Sequence, residues 1–395
     1  MLGLAATAPL LGCSTDGTQP AGAAAAIIVL PPSPLVSLGG VLQLAVEVVD
    51  AGGRPLANPA VGFTSADTAV ASVSSTGLVA GRAVGDDSIT VTSGAALTKV
   101  PVLVVTHPGG AAAGAPLVAS RPFAVAISRN GIGYTGRQDV PFLQLTALPD
   151  TSFADSIRVG SSPMDIAFNS AGTTAYVANQ SSATLGVIDV AGKTSVDSVA
   201  IPGGSPLRVV VAPDDQHVYV STSLGVVTEV STTTKAVTRQ LTLGGAVNGL
   251  AFQPSGAILY ATNTSGSVFE ITIASGGVRQ VTPGGVLQDV AISLDGVEIY
   301  IANQTGELDV RDAASGARIT TIPGAANAFG LEISPDGARL YATVPDSGAV
   351  RIIDRAARAV VGTIPVTGTP RRVAFDRLGT TALIPNESGW INVIR

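Results

Sequence analysis

Seven short apolar segments recur along this sequence. Three positions before the apolar residue that ends each segment stand Ala124, Asp165, Arg208, Gly249, Asp289, Gly330 and Arg372, with Asn248, Gln288, Asn327 and Arg371 beside them. If the segments converge, two carboxylates and two guanidiniums come together. A guanidinium fork donates to anionic or polyhydroxylated groups, and a carboxylate accepts from hydroxyls and amines. The candidate ligand-binding set is therefore Asp165, Arg208, Asn248, Asp289 and Arg372, placed around a channel mouth. The alternative is a solvated funnel whose charges merely pair with one another, contributing little to stability. The residues leave both readings open.

Other chemistry is poorly supplied. The chain holds two histidines, His107 and His217, and one cysteine, Cys13. An imidazole or thiolate metal site needs several such ligands, and a Ser-His-Asp triad would have to use one of these two histidines without any nucleophile elbow leading into a helix. Asp50, Asp67, Asp86 and Asp87 lack the alternating spacing of a calcium loop and read as turn residues. The glycine pairs Gly203-Gly204, Gly244-Gly245, Gly276-Gly277 and Gly284-Gly285 lack the strand-to-helix context of a phosphate loop. The expectation is a protein with no catalytic residue, no metal and no cofactor. A net charge of −6 with only 22 Lys and Arg among 395 residues leaves no basic footprint for nucleic acid.

The elements that would position the charged set follow a period near forty. All six tyrosines, Tyr134, Tyr176, Tyr219, Tyr260, Tyr300 and Tyr341, share one phase, and Leu383 extends it. Such a period signals a propeller or solenoid. In each unit an apolar strand meets a tight turn, as at Asn130-Gly131, Ala171-Gly172, Ser255-Gly256, Asp295-Gly296, Asp336-Gly337 and Leu378-Gly379, and the tyrosine strand follows; Asp214-Asp215 is the copy without glycine. A third strand comes next, then a fourth (Val199 to Ile201, Gln240 to Leu243, Ile319 to Ile322, Val361 to Val366). Four antiparallel strands make a blade, and one tyrosine per blade is what packing between blades requires. The seventh unit reaches only its third strand, Trp390 to Ile394. The segment Pro116 to Pro122, similar to the fourth-strand exit Ile364 to Pro370, is expected to complete it and remove the free sheet edge.

The phrases Tyr176-Val-Ala-Asn179 and Tyr300-Ile-Ala-Asn303, within the longer pattern Pro-x-x-[Val/Ile]-Ala-[Phe/Ile]-Ser-Pro-Asp-Gly, resemble the YVTN or YncE-like repeat of bacterial and archaeal envelope propellers. The resemblance implies an all-β, seven-bladed β-propeller over residues 115–395, and implies little about function, because members bind different things. Before it, residues 27–105 lack the period. Their phrases Val61-Gly-Phe-Thr-Ser-Ala-Asp67 and Val70-Ala-Ser-Val-Ser-Ser-Thr-Gly-Leu-Val79 resemble a bacterial Ig-like group 2 (BIG2) domain, which implies a small β-sandwich used as a spacer or adhesive module, with Phe63 where that family usually has tryptophan. Residues 106–114 link the two.

Leu2 to Leu11 is an apolar run of signal-peptide length, and Leu10-Leu-Gly-Cys13 resembles the lipobox of bacterial lipoproteins, which implies lipidation of Cys13. No Lys or Arg precedes the run, which points to a true start upstream of Met1. Residues 14–26 read as a flexible tether. Together these features predict a non-catalytic, lipid-anchored protein of the cell envelope. An Ig-like stalk would present a propeller that binds an envelope protein, glycan or small ligand, with membrane contact only through the lipid. A propeller enzyme resembling lactonases or lyases and a structural surface-layer component are the alternatives.

Overall fold

A computed structural model describes residues 22–110, 112–113 and 121–395. Cys13 and the tether up to residue 21 lie outside them. The described residues are all-β apart from one 3-10 turn, Pro345–Ser347, and divide into two compact units between Leu103 and Val104.

The N-terminal unit is a small sandwich. Leu35–Ser37, Ala96–Val105, Gly85–Ser93 and Gly62–Ser65 form a four-stranded sheet, and Val41–Gln43, Leu78–Gly81 and Ala71–Val73 a three-stranded one, with a further pair from Ala26–Leu30 and Ala45–Val49. Alternate residues such as Val48, Val79, Ile89, Val91 and Val102 are buried between them, the period-2 pattern of a half-covered strand. The aspartates do turn work: the Asp50 carboxylate accepts from Gly52 N and Arg54 N at 2.8 and 3.0 Å, and Asp67 from Ala69 N at 2.9 Å.

The second unit is a seven-bladed propeller. Six blades are consecutive four-stranded antiparallel meanders, the first being Pro122–Ile127, Ile132–Arg137, Phe142–Ala147 and Phe153–Arg158. The hairpins behind the inner strands turn where expected. Gly131, Gly172, Gly256, Gly296, Gly337 and Gly379 all have φ between 70 and 75°, and Asp215 adopts φ 57° in the copy without glycine, a conformation that aspartate tolerates better than most residues. The outer strands run longer than their apolar residues suggest. The second blade's is Thr194–Ala200, largely exposed. An edge strand open to water on its far side needs no apolar pattern, so its polar start left no trace in the hydrophobicity.

Every tyrosine is at most 4% exposed. Tyr134, Tyr219 and Tyr341 meet Phe168, Phe252 and Phe375 of the following inner strand edge-on, with ring centroids 5.1, 5.3 and 4.9 Å apart. Such pairs contribute about 0.5–1.5 kcal/mol each beyond their buried area, so the repeated aromatic is what couples blade to blade.

The last blade is closed from the N-terminal side. Ala374–Phe375, Ala382–Asn386 and Trp390–Ile394 are joined by Ala112–Ala113, with Ala112 opposite Ile394 and Ala113 opposite Val393. Residues 114–120, which include most of the segment expected to close the ring, lie outside the described residues. The stretch expected to be a mere linker is docked. Thr106 N donates to Leu378 O at 2.9 Å and Gly109 N to Arg395 O at 3.1 Å. The Tyr341 hydroxyl donates to Pro108 O at 2.8 Å, and His107 Nδ1 lies 2.6 Å from Asp336 Oδ2. Burial opposes ionisation of Asp336, but His107, the Ser334 hydroxyl and the Ala338 N–H outweigh it and hold its carboxyl below the usual range.

Candidate functional site

The inner strands line a central channel, and five of the seven begin with an irregularity. In the first five blades the register between the inner strand and its neighbour shifts across one residue: Phe123, Met164, Leu207, Asn248 and Gln288. A bulge of this kind bends the strand and re-aims a side chain. Phe123, Met164 and Phe329, from the first, second and sixth blades, meet as one apolar cluster, each at most 8% exposed, with the two phenylalanine rings edge-on at 5.9 Å. Residues from blades that do not follow one another in sequence can touch only across the channel end, so this cluster is a plug. Arg371, held by Glu387 at 2.8 Å, has its guanidinium 4.5 Å from the Phe329 ring centre. Asn248 Nδ2 donates to Gln288 Oε1 at 2.6 Å, and Gln288 Nε2 to Gln304 Oε1 at 2.5 Å.

Beneath the plug lie the four charged residues singled out by the repeat. Arg208 bridges two carboxylates, Asp165 at 3.2 Å and Asp289 at 3.3 Å, while Arg372 Nη1 donates to Asp289 at 2.8 Å and its Nη2 to the Asn248 carbonyl at 3.3 Å. The aspartates are further satisfied by backbone. Val209 N donates to Asp165 at 2.9 Å, and Val290 N and Leu331 N donate to Asp289 at 3.0 and 3.2 Å. Asp165, Asp289 and Arg372 are each at most 5% exposed. The charges therefore pair with one another, yet they form a buried belt inside the channel and not the solvated mouth expected, because the plug shuts the end nearest them. Asn248 belongs to this arrangement through its carbonyl, its amide being engaged with Gln288. Burial, the largest influence, raises the Asp165 carboxyl above its usual value against the pull of Arg208.

Beyond the belt, toward the face that carries the inner hairpins, the channel widens into a cavity of about 450 Å³ with the half-exposed Leu294 in its lining. Its width has a simple origin. Two residues after the belt position the seven inner strands carry Ala126, Ala167, Val210, Ala251, Ala291, Glu332 and Ala374, and methyl groups are too short to meet across the lumen. Glu332 is the one ionisable member of this ring. Its side chain is open to the cavity but protein surrounds it, and that desolvation, reinforced by the Asp289 carboxylate and opposed by Arg208, pushes its carboxyl up to about 8. It forms no ion pair within 4 Å among the described residues.

Sequence reasoning missed Glu332 and the plug. For Glu332 a signal existed: a lone glutamate in a column otherwise of alanine and valine. For the plug there was none, since Phe123, Met164 and Phe329 look like ordinary apolar strand residues. Of the histidines, His107 meets Asp336, and His217 lies 3.9 Å from Glu229, each far from the cavity lining in the chain's blades.

Comparison with known proteins bears on both units. Residues 23–104 match the model of the bacterial Ig-like domain (group 2). Among solved structures, Kuenenia stuttgartiensis hydrazine synthase matches with a TM-score of 0.64 at 20% identity over 71% of this chain and 96% of that one. At that identity the likeness concerns architecture alone. No curated protein matches the chain in sequence.

Proposed function

We propose that this chain is a non-catalytic, lipid-anchored protein of the cell envelope, related to YVTN or YncE-like propellers, whose Ig-like unit is a spacer and whose propeller binds a small ligand in the hairpin-side cavity. The observation that carries the reading is the contrast between belt and cavity. The belt's aspartates and guanidiniums are committed to each other and to backbone N–H groups, so they hold the ring together, while the 450 Å³ space below them lies within the ordinary range for a ligand site. Support for the anchor is Leu10-Leu-Gly-Cys13 after an apolar run. A thermal-shift screen of amines, carboxylates and sugars tests the cavity, using the wild type and Ala374→Leu, which narrows it. Ligands that stabilise the wild type and not the variant support the reading; ligands that stabilise both equally place binding elsewhere. In Cys13→Ala the acylated thiol is gone, and the protein is expected to move to the aqueous phase on detergent partitioning; unchanged membrane association would refute the anchor.

One observation favours the second reading, a propeller enzyme resembling lactonases or lyases. Glu332, with its carboxyl near 8, is poised for proton transfer near neutral pH. It stands without a second uncommitted acid or base in the cavity lining, which is why binding is the preferred reading.

A further inference from the structure

The cavity's donors and acceptors are unevenly used. Arg208 gives its two terminal nitrogens to Asp165 and Asp289, and Arg372 gives its own to Asp289 and the Asn248 carbonyl. The backbone N–H groups of Val209, Val290 and Leu331 are likewise spent on the aspartates. The Nε atoms of both arginines are buried and lack hydrogen-bond partners. An anion entering the cavity would find only the remaining hydrogens of guanidiniums already paired with carboxylates, and would face Asp289 and Glu332. Acceptors are in the opposite condition. Two aspartates balance two arginines in the belt, so Glu332, when ionised, is a surplus negative charge with no counter-ion, set in a ring of methyl groups and Val210. Phe252 and Phe375 complete the apolar lining.

We propose that the hairpin-side cavity binds a small monoamine in its ammonium form, with the Glu332 carboxylate as counter-ion and Ala126, Ala167, Ala251 and Ala291 as the bed for its hydrocarbon part. This rests on the cavity-binding reading above and names the ligand class. One carboxylate matches one charge, so a diamine would bring a second ammonium with nothing to meet it. The exchange is balanced in protons: Glu332 gives up its carboxyl proton to solvent as the ammonium takes its place, and no bond in the ligand changes. The groups facing Glu332 are Asp165, Arg208, Asp289 and Arg372, all held in fixed pairs, so Glu332 is the group that exchanges.

The test is calorimetry on the full chain with n-butylammonium, 1,4-diaminobutane, butyrate and n-butanol, repeated in buffers of different ionisation heat. With a carboxyl near 8, n-butylammonium at pH 7 should release close to one proton per ligand bound. Its affinity should rise about tenfold from pH 6 to pH 7 and flatten above pH 8. Glu332→Gln should weaken it at least tenfold and abolish the proton release. Butyrate should not bind, and the diamine should bind more weakly than the monoamine. Butyrate or butanol binding as tightly as butylammonium, or butylammonium binding equally to Glu332→Gln, would overturn the assignment. If those same probes lose binding in Ala374→Leu, the cavity reading survives while the ammonium assignment falls. Absence of heat from every probe overturns the ammonium assignment, and the wider screen then decides the cavity. Should Glu332→Gln fail to fold, the wild-type proton count and pH profile decide alone.

Discussion

Replacing Arg372 by methionine should destabilise the propeller far more than its surface counterpart would suggest. Methionine keeps contact with the Phe123 and Phe329 rings, over which the guanidinium lies at 5.9 and 5.5 Å, so the change is mainly electrostatic. What is lost is a 2.8 Å charge-assisted bond to Asp289, a group 1% exposed, and a 3.3 Å bond to the Asn248 carbonyl. Removing one partner of a buried pair costs about 3–5 kcal/mol. Asp289 keeps Arg208 at 3.3 Å and two backbone N–H groups, which argues for the lower end, about 3 kcal/mol. The reference is Arg121→Met. Arg121 pairs with Glu387 at 3.2 Å but is 61% exposed, and its loss should cost under about 1 kcal/mol. The assay is urea unfolding followed by the fluorescence of Trp390, the chain's one tryptophan and part of blade seven. An unchanged urea slope would assign the shift to stability. The double variant Arg372→Met with Asp289→Asn leaves Arg208 matched to Asp165, so it should cost roughly 2 kcal/mol less than the sum of the singles. A single variant as mild as Arg121→Met, or strict additivity, would refute the buried-belt account.

Ring closure predicts that Ala112→Pro with Ala113→Pro, which removes the donors facing Val393 and Ile394, lowers the melting temperature by several degrees and promotes concentration-dependent aggregation; an unchanged transition would mean that the pair is not the closing strand. The raised Glu332 carboxyl predicts a pH signature in stability. The folded chain keeps its proton between the usual glutamate value and about 8 while the unfolded chain releases it, so wild-type stability falls as pH rises through that window. Glu332→Gln should therefore gain on the wild type from pH 5 to pH 8, and parallel curves would refute the assignment. Asp336 runs the other way. Its lowered carboxyl stabilises the docked segment above the usual aspartate range and ceases to do so in acid. Asp336→Asn should flatten the acid limb of the melting curve.

How much of this was legible depends on whether the signal was local. The tyrosines announced the blades because one slot, repeated between neighbouring sheets, takes the same ring each time. The shared phase of Asp165, Arg208, Asp289 and Arg372 was legible for the same reason, and the structure brings them within 3.3 Å of one another's partners. Their burial was not legible. It depends on Phe123, Met164 and Phe329 converging from three blades over more than 200 residues of chain, and no pattern within any one repeat encodes that meeting. The pairing of Ala112–Ala113 with the last strand was not legible, because two alanines carry neither period nor turn chemistry.

The fastening of blade seven also has a consequence in time. Ala113 and Val393 are separated by 280 positions, which at 5–20 residues per second is roughly 15 s to a minute of synthesis. Throughout that interval six sheets can form, but the arc they make has nothing to grip. Val125, Leu383, Ile391 and Val393, which become one sealed cluster, remain apart until the Trp390–Ile394 strand emerges. Closing such an arc needs the return of a distant segment, a far less local event than the growth of any blade. The same geometry bears on handling. The Arg395 carbonyl accepts from Gly109 N at 3.1 Å, so an affinity tag appended directly after Arg395 would sit at the fastening point and delay the event on which the whole ring waits.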